Sequence, residues 1–137
     1  MMIRALRDPD NANLDRVQVV KGWLNADGTT SEKLYDAACS DGRAIVGHAC
    51  DGDVGNTVDV ANATYTNTIG DPMLTAVWTD PDFDPSQRAF YYVRVLEIPK
   101  PTWQAHDAKY YGVEMDAEVP MFLQDRAYTS PIWYTPG

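Results

Sequence analysis

Histidine, cysteine and basic residues are all scarce in this chain, and each scarcity removes a class of function. Two histidines and two cysteines occur among 137 residues. Structural zinc sites use paired short spacings such as C-x2-C, and none is present. Cys39, His48 and Cys50, with Asp51, Asp53 and His106, form the only transition-metal set that can be drawn, and incidental residues of a polar, Gly-rich loop are the plainer reading. The 11 Lys and Arg are scattered against 20 Asp and Glu, a formal charge of −9. A nucleic-acid partner is not expected, because phosphate contacts need clustered cations. No apolar run approaches the roughly 20 residues of a membrane span, so no membrane is expected as a partner either. Met1–Arg7 lacks the apolar stretch and small-residue cleavage site of a signal peptide, which sets the expectation of a cytoplasmic protein.

The usual catalytic signatures are missing too. There is no G-x-S-x-G elbow, no phosphate-binding loop and no dinucleotide fingerprint, and no cofactor is expected. Cys39 or Cys50 with His48 or His106 makes a nucleophile–base pair only on paper, since nothing in the sequence places them together or lowers a thiol pKa. Glu97, Glu114, Glu118 and Asp125 could be paired as acid and base, but an acidic surface produces such pairs freely. Two cysteines do not make a disulfide framework; Cys39 and Cys50 could close a small loop, and free thiols are the expectation.

What the chain has is apolar surface in short, alternating runs. Apolar residues make up 45% of it, and its 4 Trp, 8 Tyr and 3 Phe supply large buried areas, so disorder is excluded. The best strand is Arg88–Ile98. Ala89, Tyr91, Val93 and Val95 point one way, and Phe90, Tyr92, Arg94 and Leu96 the other. Apolar or aromatic groups on both faces predict a central strand covered on both sides. Leu14–Leu24 and Thr29–Ala38 read as a hairpin around the turn Asn25–Gly28. Cys39–Gly55 reads as a long loop, and Asn56–Thr68 and Met73–Thr79 as further strands. Pro99-Lys-Pro-Thr102 stops the central strand. Trp103–Tyr111 has helical spacing, with Thr102 as N-cap and Gly112 as C-terminal cap. A second helical turn is expected in Pro120–Arg126, before a last strand over Ala127–Tyr134. The prediction is an all-β antiparallel sandwich over residues 1–137, with a helical insertion at about 99–127.

Two constellations could bind something. Asp80, Asp82 and Asp84 have the opening spacing of a calcium loop, but Pro81 and Pro85 break it and Tyr91 stands where a glutamate is needed. The plainer reading is a turn whose carboxylates satisfy nearby amides. Trp78, Tyr92, Trp103, Tyr111 and Trp133 are candidates to line a cleft for a carbohydrate or other small molecule. An oligomer interface is the competing reading, because exposed aromatics mark contact surfaces.

Several runs carry a family resemblance: Leu14-Asp-Arg-Val-Gln-Val-Val-Lys-Gly-Trp23, Gly55-Asn-Thr-Val-Asp59, Ala63-Thr-Tyr-Thr-Asn-Thr-Ile-Gly70, Val77 through Val95, and Arg126-Ala-Tyr-Thr-Ser-Pro-Ile-Trp-Tyr-Thr-Pro136. From about Arg7 onward the chain resembles the C-terminal part of the large bacterial proteins called domain of unknown function 3604, which are akin to metallohydrolases of the polymerase-and-histidinol-phosphatase type. The resemblance places that family's clustered His and Asp residues in a longer N-terminal region, so no catalytic residue carries over. It implies a non-catalytic accessory domain with a structural or self-association role, whose partner is a separate catalytic domain or a second copy in a homodimer. Family members commonly look exported, contrary to the cytoplasmic expectation.

Overall fold

A computed structural model describes residues 1–137. In chain order its elements are β1 (Met2–Leu6), β2 (Leu14–Leu24), β3 (Thr30–Cys39), β4 (Ile45–Val46), β5 (Ala49–Cys50), β6 (Met73–Val77), β7 (Ala89–Glu97), β8 (Lys100–Pro101), α1 (Trp103–Tyr111), β9 (Phe122–Leu123), β10 (Arg126–Tyr128) and β11 (Ile132–Tyr134). The chain is mainly β and its ladders are antiparallel, as the sequence predicts. The helix is not long and apolar enough to cross a membrane.

The main sheet runs β10-β7-β2-β3, with β11 also paired to β7. β7 is therefore central, held by β2 on one side and by β10 and β11 on the other. β2 and β3 form the expected hairpin, and Gly28 takes the left-handed conformation its turn demands (φ 85°). A second, two-stranded sheet, β1 with β6, lies on one face of the first. Ile3 and Leu74 from it pack with Val17, Val19, Ala89, Tyr91 and Val93 to make the core. At roughly 25 cal/mol per Å2 of apolar area removed from water, this cluster is the main source of stability.

One strand was not foreseen and four expectations need correction. β1 was hidden in the N-terminal run, because five residues beside a cluster of turn formers give too little periodicity to read. Asn56–Thr68 is not a strand: Asn56 and Asp59 turn their side-chain oxygens onto the amides of Val58 and Asn62, so local turns outcompete a ladder, and one bridge, Asp59 to Thr64, remains. Pro120–Arg126 is not helical, since Phe122–Leu123 pairs with Lys100–Pro101 instead. The last strand is two, broken at Ser130–Pro131; the Thr129 hydroxyl accepts from the Val93 amide at 3.0 Å to bridge the break. Finally, Cys39 and Cys50 are not free thiols. Residues 39–55 contain the ribbon β4–β5, and it brings the two Cα atoms to 5.9 Å, where a disulfide joins the ribbon to β3.

The helix forms where expected. Gly112 caps it in the left-handed conformation (φ 65°), its amide donating to the Ala108 carbonyl. Thr102 precedes it in extended geometry, but its hydroxyl accepts from no helix amide and instead donates to the Pro120 carbonyl.

Candidate functional site

The two faces of β7 differ. Ala89, Tyr91 and Val93 are buried under β1 and β6. On the opposite face no sheet or helix stacks over Phe90 and Tyr92, whereas Leu96 farther along it is buried, so the expectation of a strand covered on both sides fails at the Phe90–Tyr92 end. Phe90 and Tyr92 lie here half-buried, two residues apart on one strand. Trp133 of β11 sits directly opposite Phe90 in the ladder, and Tyr128 of β10 directly opposite Arg94. Cross-strand pairing thus gathers four rings from three strands into one row.

The row is continuous. Ring centroids are 5.4 Å apart for Trp133 and Phe90, 6.4 Å for Phe90 and Tyr92, and 6.2 Å for Tyr92 and Tyr128. The Phe90 and Tyr92 rings are nearly parallel, at 8°. Gly22, opposite Phe90 on β2, makes room for this arrangement, since a Cβ there would collide with the Phe90 ring. Trp133 is 72% exposed and Tyr128 57%, which is unusual for large rings that each bury well over 100 Å2 when covered. A groove of about 560 Å3 opens beside Trp133 and Phe90, with Trp23, Glu32 and Arg88 also in its walls.

Charge flanks the row asymmetrically. On the β3 side stand the exposed Glu32 and the buried Asp36; on the β10 side stand Arg94 and the exposed Arg126. Arg94 donates to the Gln18 amide oxygen at 2.8 Å, and the Gln18 NH2 group donates to Asp36 at 2.7 Å. The other carboxylate oxygen of Asp36 accepts from the Cys50 amide at 2.7 Å. The polar end of the face is in this way tied to the disulfide-linked ribbon.

Of the five predicted aromatic ligands, the fold brings two together, Tyr92 and Trp133. Trp78 lies on the other side of the sheet against Tyr35 and Tyr91. Trp103 and Tyr111 are exposed on α1, and Tyr111 packs on Tyr110. Phe90 and Tyr128 complete the row and were missed as site residues. Alternation along β7 put Phe90 beside Tyr92, but Tyr128 depends on a register that one strand's pattern does not reveal.

The aspartate turn is occupied by protein groups. Asp80 pairs with Lys21 at 2.6 Å, both side chains being almost fully buried, and also accepts from the Tyr91 hydroxyl at 2.8 Å. Asp82 accepts from Lys33 at 2.6 Å and from the Tyr35 hydroxyl at 2.7 Å. Asp84 accepts from the Ser86 amide and hydroxyl. Burial works to raise the Asp80 pKa, but Lys21 and Tyr91 outweigh it, and the carboxyl is held below its ordinary range. Asp82 is lowered chiefly by Lys33 and Tyr35. Tyr91 and Tyr35 are pushed upward, first by burial and then by the carboxylates they serve. The group whose ligand atoms do converge, within 4.8 Å, is Asp36, Cys39 and Cys50, and its two sulfurs are spent on the disulfide. His48 sits by Tyr35, whereas His106 lines a different cleft with Asn11, Tyr65 and Lys100.

A family described as protein of unknown function, DUF3604, matches residues 1–136. No curated protein and no solved structure matches the chain.

Proposed function

The chain belongs to the DUF3604 family, and from that premise we propose that it is a non-catalytic interaction domain whose open aromatic face is buried against a protein partner, in isolation a second copy of itself. The observation that carries the reading is the row Trp133–Phe90–Tyr92–Tyr128. Aromatic side chains are enriched and energetically dominant in protein interfaces, and a contiguous exposed set of them marks a contact surface. A homodimer buries the row without any further partner, since a two-fold axis parallel to the strands lays the row of one copy on the row of the other.

The environment of the titratable groups supports a structural role. Asp15, Asp36, Asp80 and Asp82 each serve ion pairs or amides that hold elements together. The disulfide favours folding in an oxidising compartment over the cytoplasm.

A second reading rests on the 560 Å3 groove, whose aromatic wall and polar rim suit a sugar or another flat, hydroxylated small molecule. Molecular mass in solution separates the two. The interface reading predicts a concentration-dependent dimer by light scattering, and Trp133→Ala shifts it to monomer with an unchanged far-UV spectrum. A wild-type protein that stays monomeric at every concentration, together with a thermal shift of the monomer by a panel of sugars, would favour the groove.

A further inference from the structure

A separate part of the molecule invites a different partner. β1 is bonded to β6 on one side only, and its other edge is open. The Trp78 amide donates to the Met1 carbonyl and the Arg7 amide to the Pro72 carbonyl, so positions 1, 3, 5 and 7 face β6. Antiparallel ladders alternate, and the backbone N–H and C=O groups of Met2, Arg4 and Leu6 therefore point away from β6 with no partner. The far side of β10 is also open, because β10 pairs with β7 alone. Between these two edges runs a groove of about 610 Å3, floored by Val93 and Val95 and walled by Ile3, Ala5, Ala127 and Ile132.

We propose that this groove accepts an extended polypeptide segment that adds to β1 as a strand, apolar at alternate positions and carrying an acidic residue opposite Arg4. Three observations converge on that chemistry. The unpaired backbone groups of β1 ask for another strand, since an open edge is a template for one. The Val93–Val95 floor asks for apolar side chains at every second position. Arg4 and Arg126 line the groove without an ion-pair or hydrogen-bond partner. Of its three carboxylates, Glu97 and Asp125 are already paired with Lys100 and only Asp8 has no cation, so the unpaired charge is mainly positive and the complement is acidic. A second copy pairing β1 with β1 fits less well. The antiparallel register that uses all three free positions sets Arg4 against Arg4, and like charges directly opposite destabilise a ladder. The apolar lining of the groove, Ile3, Ala5, Val93, Val95 and Ala127, lies on the other side of the main sheet from the aromatic row, and Arg126 at the edge of β10 borders both.

Amide hydrogen exchange on the full chain tests it, with the blocked nonapeptide Thr-Val-Thr-Val-Glu-Val-Thr-Val-Thr as probe. The expected result at about 1 mM peptide is at least about tenfold slower exchange at Met2, Arg4 and Leu6, with β3 unaffected. Arg4→Pro removes the central free amide while leaving the bonds of Ile3 and Ala5 to β6 in place, as proline is tolerated where an edge N–H faces outward. It is expected to keep the protection of β2 and β7 and to abolish the slowing at Met2 and Leu6. Should that variant not fold, Arg4→Glu replaces it and is expected to prefer the peptide with Lys in place of Glu. No slowing at about 1 mM, or slowing undiminished in Arg4→Pro, overturns the proposal. Slowing that appears without peptide as protein concentration rises assigns the edge to a second copy and overturns it as well.

Discussion

Lys21 places a cation in the middle of a strand face that is otherwise apolar, where its ammonium meets Asp80 at 2.6 Å and the Asp82 carbonyl at 2.7 Å. It also lies 5.4 Å from the centre of the Trp23 ring and 5.9 Å from that of Tyr91, close enough for cation–π attraction. A buried pair of this kind adds little net stability against an apolar substitute, but breaking it strands a charge. Lys21→Met is therefore expected to cost about 3 kcal/mol at neutral pH by chemical denaturation, near the lower end for buried pairs because Asp80 keeps Tyr91 and the Asp82 amide as donors. The pH dependence has a definite sign. Asp80 is depressed in the folded state, so its contribution is present above the ordinary value of 3.8 and is lost as pH falls through the lower folded value. The gap between wild type and Lys21→Met should narrow below about pH 4, as protonation makes Lys21 unnecessary to Asp80. A gap that stays constant from neutral pH down to acid would contradict this. No spacing rule pairs positions 21 and 80, so the ion pair was illegible in the sequence; it exists because β2 and the turn after β6 meet in space.

At the level of elements, what could be read depended on length. β2, β3 and β7 run nine residues or more, and α1 has a proline stop before it and a glycine cap after it; all four emerge where their periodicity places them. β10 and β11 read as the single strand Ala127–Tyr134, without its break. The two-residue strands β4, β5, β8 and β9 carry too few alternations to be seen, and tertiary pairing sets their positions. The disulfide belongs with them. Its cysteines are 11 residues apart, and left-handed residues in two turns, Asp41 and Gly42 (φ 57° and 65°) and Gly47 (φ 66°), fold one back onto the other. Closing a loop of that size is worth about 2–3 kcal/mol through the unfolded chain. Replacing both cysteines with serine is expected to lower stability by that amount and to speed amide exchange at Cys50, whose N–H reaches Asp36 from the ribbon. Protection at Val17 and Val19 should persist. Equal loss across the whole sheet would show that the ribbon is integral to the core and not an appendage.

Across the whole molecule, one main sheet has one covered face and one open face, and the open face holds the aromatic row. Alternation in β7 revealed the two faces, but not that β1 and β6 provide a layer for one of them alone, since that depends on where short strands dock. The central claim is that Trp133, Tyr92 and Tyr128 become buried on association while Trp103 and Tyr111, equally prominent on α1, do not. Paramagnetic relaxation of the aromatic ring protons by an inert soluble probe, measured at low and high protein concentration, tests this most directly. The account predicts that the three rings of the row lose accessibility as concentration rises and that Trp103 and Tyr111 keep theirs. Accessibility unchanged at the row, or lost at Trp103 and Tyr111 instead, would contradict it.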